Sequence, residues 1–420
     1  MIIIHQMNNS TNLLPRALAP SIRAAMRTMP VVVVTGARQT GKSTLVHRLL
    51  PGTRLRYLTL DDYETLDRIR REPAALLQGR GPVVIDEVQR APGVLVAVKR
   101  EVDRSRRPGR FLLTGSANLA LLKSVSESLA GRAAYFDLHP LTTSELAGRG
   151  GTGPWDRLLT DPGRLKPPGR ALDDLPGRLF RGGFPGAALV GGDAHRRLWL
   201  DGYVRTYLER DLRDVSSVAD LADFRRLMRM AALRTGAMVN QTELSRDAGL
   251  HQPTVHRYLN LLEATCLIHR VPGYAVNRTK RLIRTPRLFW CDTGLAAHLA
   301  GIESAPELRA GRMDGFLLEN LVLLDLLAWS ETRTPRPAIC YWRTSTGEEV
   351  DFVVEVAGSV IPIEIKSAKK ASLGDARHLQ TFLAEYGASA PFGLLLHNGT
   401  ELERIAERVW AVPLGTALGL

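Results

Sequence analysis

Residues Gly36-Ala37-Arg38-Gln39-Thr40-Gly41-Lys42-Ser43 come one threonine after an apolar run, Val31-Val32-Val33-Val34. The run suits a buried strand, and the GxxxxGK[ST] spacing suits a loop that turns tightly and then opens a helix. Glycines permit the turn, so that successive N–H groups and a helix N-terminus converge on phosphate oxygens. Lys42 is then placed to reach β- and γ-phosphates, and Ser43 to hold Mg²⁺. The expected nucleotide-binding residues are Gly36, Ala37, Arg38, Gln39, Thr40, Gly41, Lys42, Ser43 and Thr44.

Two later runs extend that site. Val83-Val84-Ile85-Asp86-Glu87 follows the breaker pair Gly81-Pro82 and resembles a Walker B strand. Asp86 is expected beside Mg²⁺ and Glu87 beside the attacking water, because phosphoryl transfer depends on positioning the metal and the nucleophile. Phe111 to Asn118 reads as a further strand ending in small polar residues, with either Asn118 or Ser116 contacting the γ-phosphate. Arg132, after Leu129-Ala130-Gly131, offers a charge for the transition state, on its own nucleotide or on that of a neighbouring subunit. The second option leaves a homo-oligomer open. Leu58 to Asp62 looks like another strand end, so strands alternate with helix-compatible stretches as in a parallel α/β sheet.

With 420 residues the chain exceeds one ordinary core and suggests about three domains. Cys266, Cys291 and Cys340 are scattered without metal-ligand spacing, and their odd number argues against a disulfide framework, which fits a reducing cytoplasm. The apolar run Met1 to Ile4 is too short for a signal segment, and no stretch reaches membrane-span length. The net charge of +13 is unevenly spread, +10 over 1–150 against −5 over 293–420. A basic amino-terminal part attracts polyanions, although arginine-rich usage alone accounts for such totals.

Residues 147–192 are rich in Gly, Pro and Arg without periodicity and read as a linker or irregular connector. From Arg196 to Arg234 the pattern becomes helical, with Trp199, Tyr203, Tyr207 and Leu208 at helical spacings, as in an amphipathic lid. Asn240 to Leu250 and His251 to about Thr265 then read as helix, glycine turn, helix, and Leu267 to Trp290 as a hairpin wing. In a DNA reader, Gln252, Thr254, His256 and Arg257 face the groove, while Lys280, Arg281 and Arg284 meet phosphates. Transmission of nucleotide state or subunit contact accounts for the same layout equally well.

Near the end, Glu348 to Val356 and Val360 to Lys366 flank the turn Ala357-Gly358-Ser359, as in a β-hairpin. Side chains alternate along a strand, so Glu364 and Lys366 share a face where they meet Asp351 across the hairpin. Glu319, on an amphipathic helix from Phe316 to Trp329, adds a fourth group. This set resembles a PD-(D/E)XK nuclease signature. Asp351 and Glu364 would hold Mg²⁺ or Mn²⁺, and Lys366 would orient water. The local negative charge works against bringing DNA to it.

In this order the motifs resemble a bacterial and archaeal family of AAA-like P-loop ATPases fused to a C-terminal domain of unknown function. Asp292-Thr293-Gly294-Leu295, Trp342-Arg343 and Glu349-Val350-Asp351 strengthen the likeness. The resemblance implies an α/β fold class with an AAA-like P-loop NTPase domain over 1–150 and a helical connector and lid over 151–235. A winged helix over 236–292 and a PD-(D/E)XK-like α/β domain over 293–420 complete it. It implies ATP with Mg²⁺, with hydrolysis expected, and adenine is preferred to guanine on that likeness alone. DNA and a protein partner remain open, and a membrane is not expected.

Overall fold

The computed structural model describes residues 13–49, 55–79, 81–116, 129–165, 169–206, 220–277, 279, 281, 285–311 and 313–420. The first sheet is parallel throughout. Its strands are β1 (Val31–Thr35), β2 (Arg56–Thr59), β3 (Val83–Asp86), β4 (Phe111–Thr114) and β5 (Ala133–Asp137), in the order β2-β3-β4-β1-β5. Strands β1, β3 and β4 are buried along their whole length, which explains their unbroken apolar sequences. Alternate residues serve opposite faces: Val31, Val33, Ile85 and Leu113 join one core, and Val32, Val34, Val84 and Leu112 the other. Because all five strands run the same way, the ends of β1, β3 and β4 carry Gly36, Asp86 and Thr114 to one edge.

The glycine-rich stretch after residue 147 is a packed connector. It holds the short helices Trp155–Leu158, Leu175–Arg181 and Pro185–Ala188. Trp155, Leu179 and Phe184 are fully buried there. Glycine is used for close approach: a Cβ on Gly153 would lie 1.8 Å from the carbonyl oxygen of Ala417. Composition alone does not separate that use from a free linker. Helices Asp193–Thr206 and Leu221–Ala232 come next, while Tyr207 and Leu208 lie outside the described residues.

Helices Gln241–Ala248 and Gln252–Ala264 meet at Gly249, as the sequence leads one to expect. Asn240 caps the first, its side-chain oxygen accepting the N–H groups of Thr242 and Glu243 at 3.1 and 3.2 Å. Two antiparallel strands, β6 (Ile268–Val271) and β7 (Arg287–Trp290), complete this part of the chain.

The last sheet is mixed. It comprises β8 (Ala338–Arg343), β9 (Glu349–Val356), β10 (Ser359–Lys366), β11 (Gly393–His397), β12 (Glu403–Ala406) and β13 (Val409–Pro413), ordered β12-β13-β11-β10-β9-β8. Helix Asp314–Ser330 is buried on most of its surface, including Leu317, Asn320, Leu323, Asp325 and Trp329, so it lacks the polar face expected of an amphipathic helix over Phe316 to Trp329. It lies between modules, and one apolar core runs from Trp155 through Phe224, Tyr258 and Trp290 to Trp329 and Val412.

Candidate nucleotide site and an acidic cluster

The loop after β1 has the backbone of an anion cradle. Gly36, Gln39 and Gly41 have φ of 140°, 63° and 91°, positive values of the kind found where successive N–H groups form an anion nest. At Gly36 a Cβ would stand 2.3 Å from the carbonyl oxygen of Leu138, so only glycine fits. Helix Lys42–Leu49 starts where the loop ends. The Lys42 ammonium is buried and donates to the carbonyls of Gly36 at 3.0 Å and Ala37 at 2.8 Å. Burial pulls its pKa below the ordinary value, and a phosphate would favour the charged form again. Thr40 closes the loop on itself through the Ala37 carbonyl at 3.0 Å.

Asp86 ends β3 as a buried carboxylate surrounded by hydroxyls. Its Oδ2 accepts Ser43 Oγ at 2.9 Å and the Tyr57 hydroxyl, and its Oδ1 accepts the Thr114 hydroxyl. Burial, followed by the bond to Asp86, pushes the Tyr57 phenol above its usual range, keeping it a donor. A serine hydroxyl in direct contact with a carboxylate is a hard oxygen set that fits Mg²⁺. Glu87 has φ 58° and ψ 44°, a left-handed conformation rare outside glycine and concentrated at functional sites. Its carboxylate accepts Gln89 Nε2 and, at 3.2 Å, Ser116 Oγ, while Gln89 and Ser116 are joined at 2.8 Å.

Lys42, Ser43, Asp86, Glu87 and Ser116 therefore meet at one sheet edge. Asn118 lies outside the described residues. Arg132 does not join them: it precedes β5 at the opposite end of the sheet, paired with Asp103 at 2.6 and 3.0 Å. A five-residue strand separates it from the loop, roughly 16 Å at about 3.3 Å per residue, so it cannot serve the nucleotide of its own chain. Tyr57, Thr114 and Gln89 escaped the sequence reading. Only the position of Gln89, two residues after the acid pair, hinted at a role.

The hairpin near the carboxyl end forms as expected, with Ile363 opposite Phe352 and Asp351 beside β10, where its Oδ2 accepts the Ile365 N–H at 2.8 Å. Lys366 Nζ pairs with Glu364 at 2.7 Å on the shared face. An arginine also enters this cluster. Arg287, at the start of β7, bonds Glu319 and reaches Glu349 at 3.3 Å and Asp351 at 3.9 Å. Its side chain is only 4% exposed. Burial acts to depress its pKa, but Glu319, Asp351 and Glu349 outweigh that and hold it above the ordinary value. Burial and then Asp351 raise the Glu364 carboxyl to about 8. Among the described residues no three carboxylate, imidazole or thiol groups converge to hold a metal ion. Arg287 therefore stands beside Asp351, and Lys366 beside Glu364, the two acids expected to hold a metal.

On helix Gln252–Ala264, Gln252, His256 and Arg257 are exposed and Thr254 half-buried, whereas Val255, Tyr258 and Leu259 face the core. Arg281 does not project as a wing contact, because it forms a two-bond pair with Glu355 of β9 at 2.6 and 2.9 Å. Lys280 and Arg284 lie outside the described residues.

Residues 28–147 match the model of an AAA domain, and residues 172–305 and 314–417 match two domains of unknown function, DUF8612 and DUF4143. Two curated relatives, uncharacterized protein Mb2031c of Mycobacterium bovis and uncharacterized protein Rv2008c of Mycobacterium tuberculosis, are each 33% identical over 366 residues, 85% of this chain and 75% of theirs. An uncharacterized protein of Haemophilus influenzae is 21% identical over 80% of this chain and 82% of its own. Among solved structures, the Walker-type ATPase PABY2304 of Pyrococcus abyssi aligns with 67% of this chain and 94% of its own at 15% identity and a TM-score of 0.40. With its AAA-type, ATP-binding P-loop domain at the amino end and a separate sheet domain at the carboxyl end, the chain belongs to the same family as the two mycobacterial proteins.

Proposed function

We propose that the protein is a Mg²⁺-dependent ATPase that works in the cytoplasm on or near DNA. The convergence of Lys42, Ser43, Asp86 and Glu87 at the end of a parallel sheet carries this reading. Lys42 exchanges the carbonyls of Gly36 and Ala37 for β- and γ-phosphate oxygens. Ser43 and Asp86 hold Mg²⁺, which screens charge on the phosphates. Glu87, steered by Gln89 and Ser116, orients the attacking water, and Ser116, bonded to Glu87, senses the γ-phosphate. The exposed polar face of helix Gln252–Ala264 supports a winged-helix contact with a DNA groove. Three free cysteines accord with a reducing setting.

For the carboxyl-terminal domain, Arg287 favours the second reading, a switch or scaffold without nuclease chemistry, because a resident guanidinium already stands beside Asp351 and Glu319, two of the four residues expected at a nuclease site. Calorimetry on purified protein tests the first claim. Wild type should take up ATP with Mg²⁺, Lys42→Ala should lose that uptake, and Glu87→Gln should keep it while turnover falls by a factor of about 100 or more. Uptake unchanged by Lys42→Ala refutes the site. Turnover accelerated by DNA supports the DNA role, and Mn²⁺-dependent nicking that disappears in Asp351→Ala refutes the non-nucleolytic reading.

A further inference from the structure

We propose that Arg16, which lies before the segment matched by the AAA model, is a positioning residue of the phosphate-binding loop: it aims the Gly41 N–H into the cradle by holding the Thr40 carbonyl. The inference rests on the ATP reading above and assigns a residue to the same site. Arg16 Nη1 donates to the Thr40 oxygen at 2.7 Å, and its Nη2 donates to the His139 carbonyl beyond β5. Its Nε lies 3.1 Å from Glu145 Oε1, with the two side chains 9% and 3% exposed. Glu145 is itself fixed, accepting the N–H groups of Ala17 at 2.7 Å and Thr142 at 3.1 Å. One planar cation thus spans the amino-terminal segment, the phosphate loop and the segment after β5.

The effect on the loop comes from peptide geometry. A trans peptide is planar, with its C=O and N–H pointing in opposite directions. Fixing the Thr40 oxygen outward against Arg16 therefore fixes the Gly41 N–H inward. Without that anchor this peptide is the loop's softest point, because Gln39 and Gly41 on either side of Thr40 are left-handed and glycine tolerates both signs of φ. A flip of the Thr40–Gly41 peptide would aim a carbonyl at the phosphates, replacing attraction by repulsion. Lysine is no substitute, since a single ammonium cannot span two carbonyls and a carboxylate as the guanidinium fork does.

A purely structural staple would hold the amino-terminal helix, Ala19–Met26, without affecting nucleotide affinity. Arg23 provides the comparison, for it bonds the Leu49 carbonyl at 3.3 Å from the same helix, at the far end of the helix that the loop opens. The test is calorimetric titration of the full chain with MgATP, with a nucleotide-free melt recorded for each variant. Arg16→Ala and Arg16→Lys should each raise the ATP Kd at least tenfold, Arg23→Ala should stay within twofold of wild type, and millimolar methylguanidinium should restore part of the affinity of Arg16→Ala. If Arg16→Ala does not fold, Arg16→Lys decides. Wild-type affinity in the Arg16 variants, or an equal loss in Arg23→Ala, overturns the inference while leaving the nucleotide site intact. Absence of ATP uptake by wild type overturns the site itself, and this inference with it.

Discussion

Asp86 shows how much of a site's organisation can rest on one side chain. Its oxygens gather hydroxyls from Ser43 on the phosphate-loop helix, Tyr57 on β2 and Thr114 on β4. Loss of this carboxylate would leave three polar groups to find new partners. A second buried acid, Asp325, has no part in the nucleotide chemistry and carries a different consequence. It is 2% exposed and accepts the Trp155 indole N–H at 2.8 Å. Burial raises its pKa from an ordinary 3.8 to about 7. Between those values the folded chain holds a proton that the unfolded chain has released, so this residue's stabilisation is complete at low pH and disappears as pH rises through about 7. Asp325→Asn should therefore flatten the decline in stability between about pH 4.5 and 7, read by urea unfolding, by up to about 1.4 kcal/mol per pH unit, and leave the slope above pH 8 unchanged. An unchanged slope would show that the carboxyl is ionised in the folded state.

Among the elements, those with a short-range signature were legible. The valine strand and its glycine loop, the strand ending at Asp86, the capped helix pair around Gly249 and the β9–β10 hairpin all arise from patterns within about a dozen residues. The connector was less legible because its glycines answer to atoms far along the chain, such as the Ala417 carbonyl near Gly153. Arg16 and Arg287 were harder still. The sequence holds 56 arginines and lysines, and what distinguishes these two is contact across 24, 123 or 32 positions, which no local pattern encodes. The same limit applied to Arg281, whose basic surroundings suggested a wing although its partner is Glu355. The exposed side of helix Gln252–Ala264 supports a prediction at this scale. Under the proposed DNA reading, Arg257→Ala should weaken binding to the preferred DNA by about 1–3 kcal/mol and relax sequence preference, with the melting temperature unchanged. Identical affinity and preference for variant and wild type would remove this helix from the proposed DNA contact.

At the scale of the whole molecule, ion pairs join the modules. Arg287 links β7 to Glu319 on the long helix and to Glu349 and Asp351 on β9, and Glu331, at the end of that helix, accepts the Asp137 N–H of β5 at 3.0 Å. Arg287→Met would leave the half-buried carboxylates of Glu319 and Asp351 without this guanidinium, so it should cost about 3 kcal/mol in urea unfolding. A loss below about 1 kcal/mol would mean that the acids repack or take up protons in its place. The apolar interior shared by Trp155, Phe180, Trp329 and Val412 bears on how such a gene can be cut. Severing it at the glycine-rich stretch would tear that interior open and leave each fragment with a raw apolar wound. Truncation is therefore a poor way to isolate the carboxyl-terminal half, and a lineage that swapped its ATPase would have to keep the connector attached to the carboxyl-terminal modules.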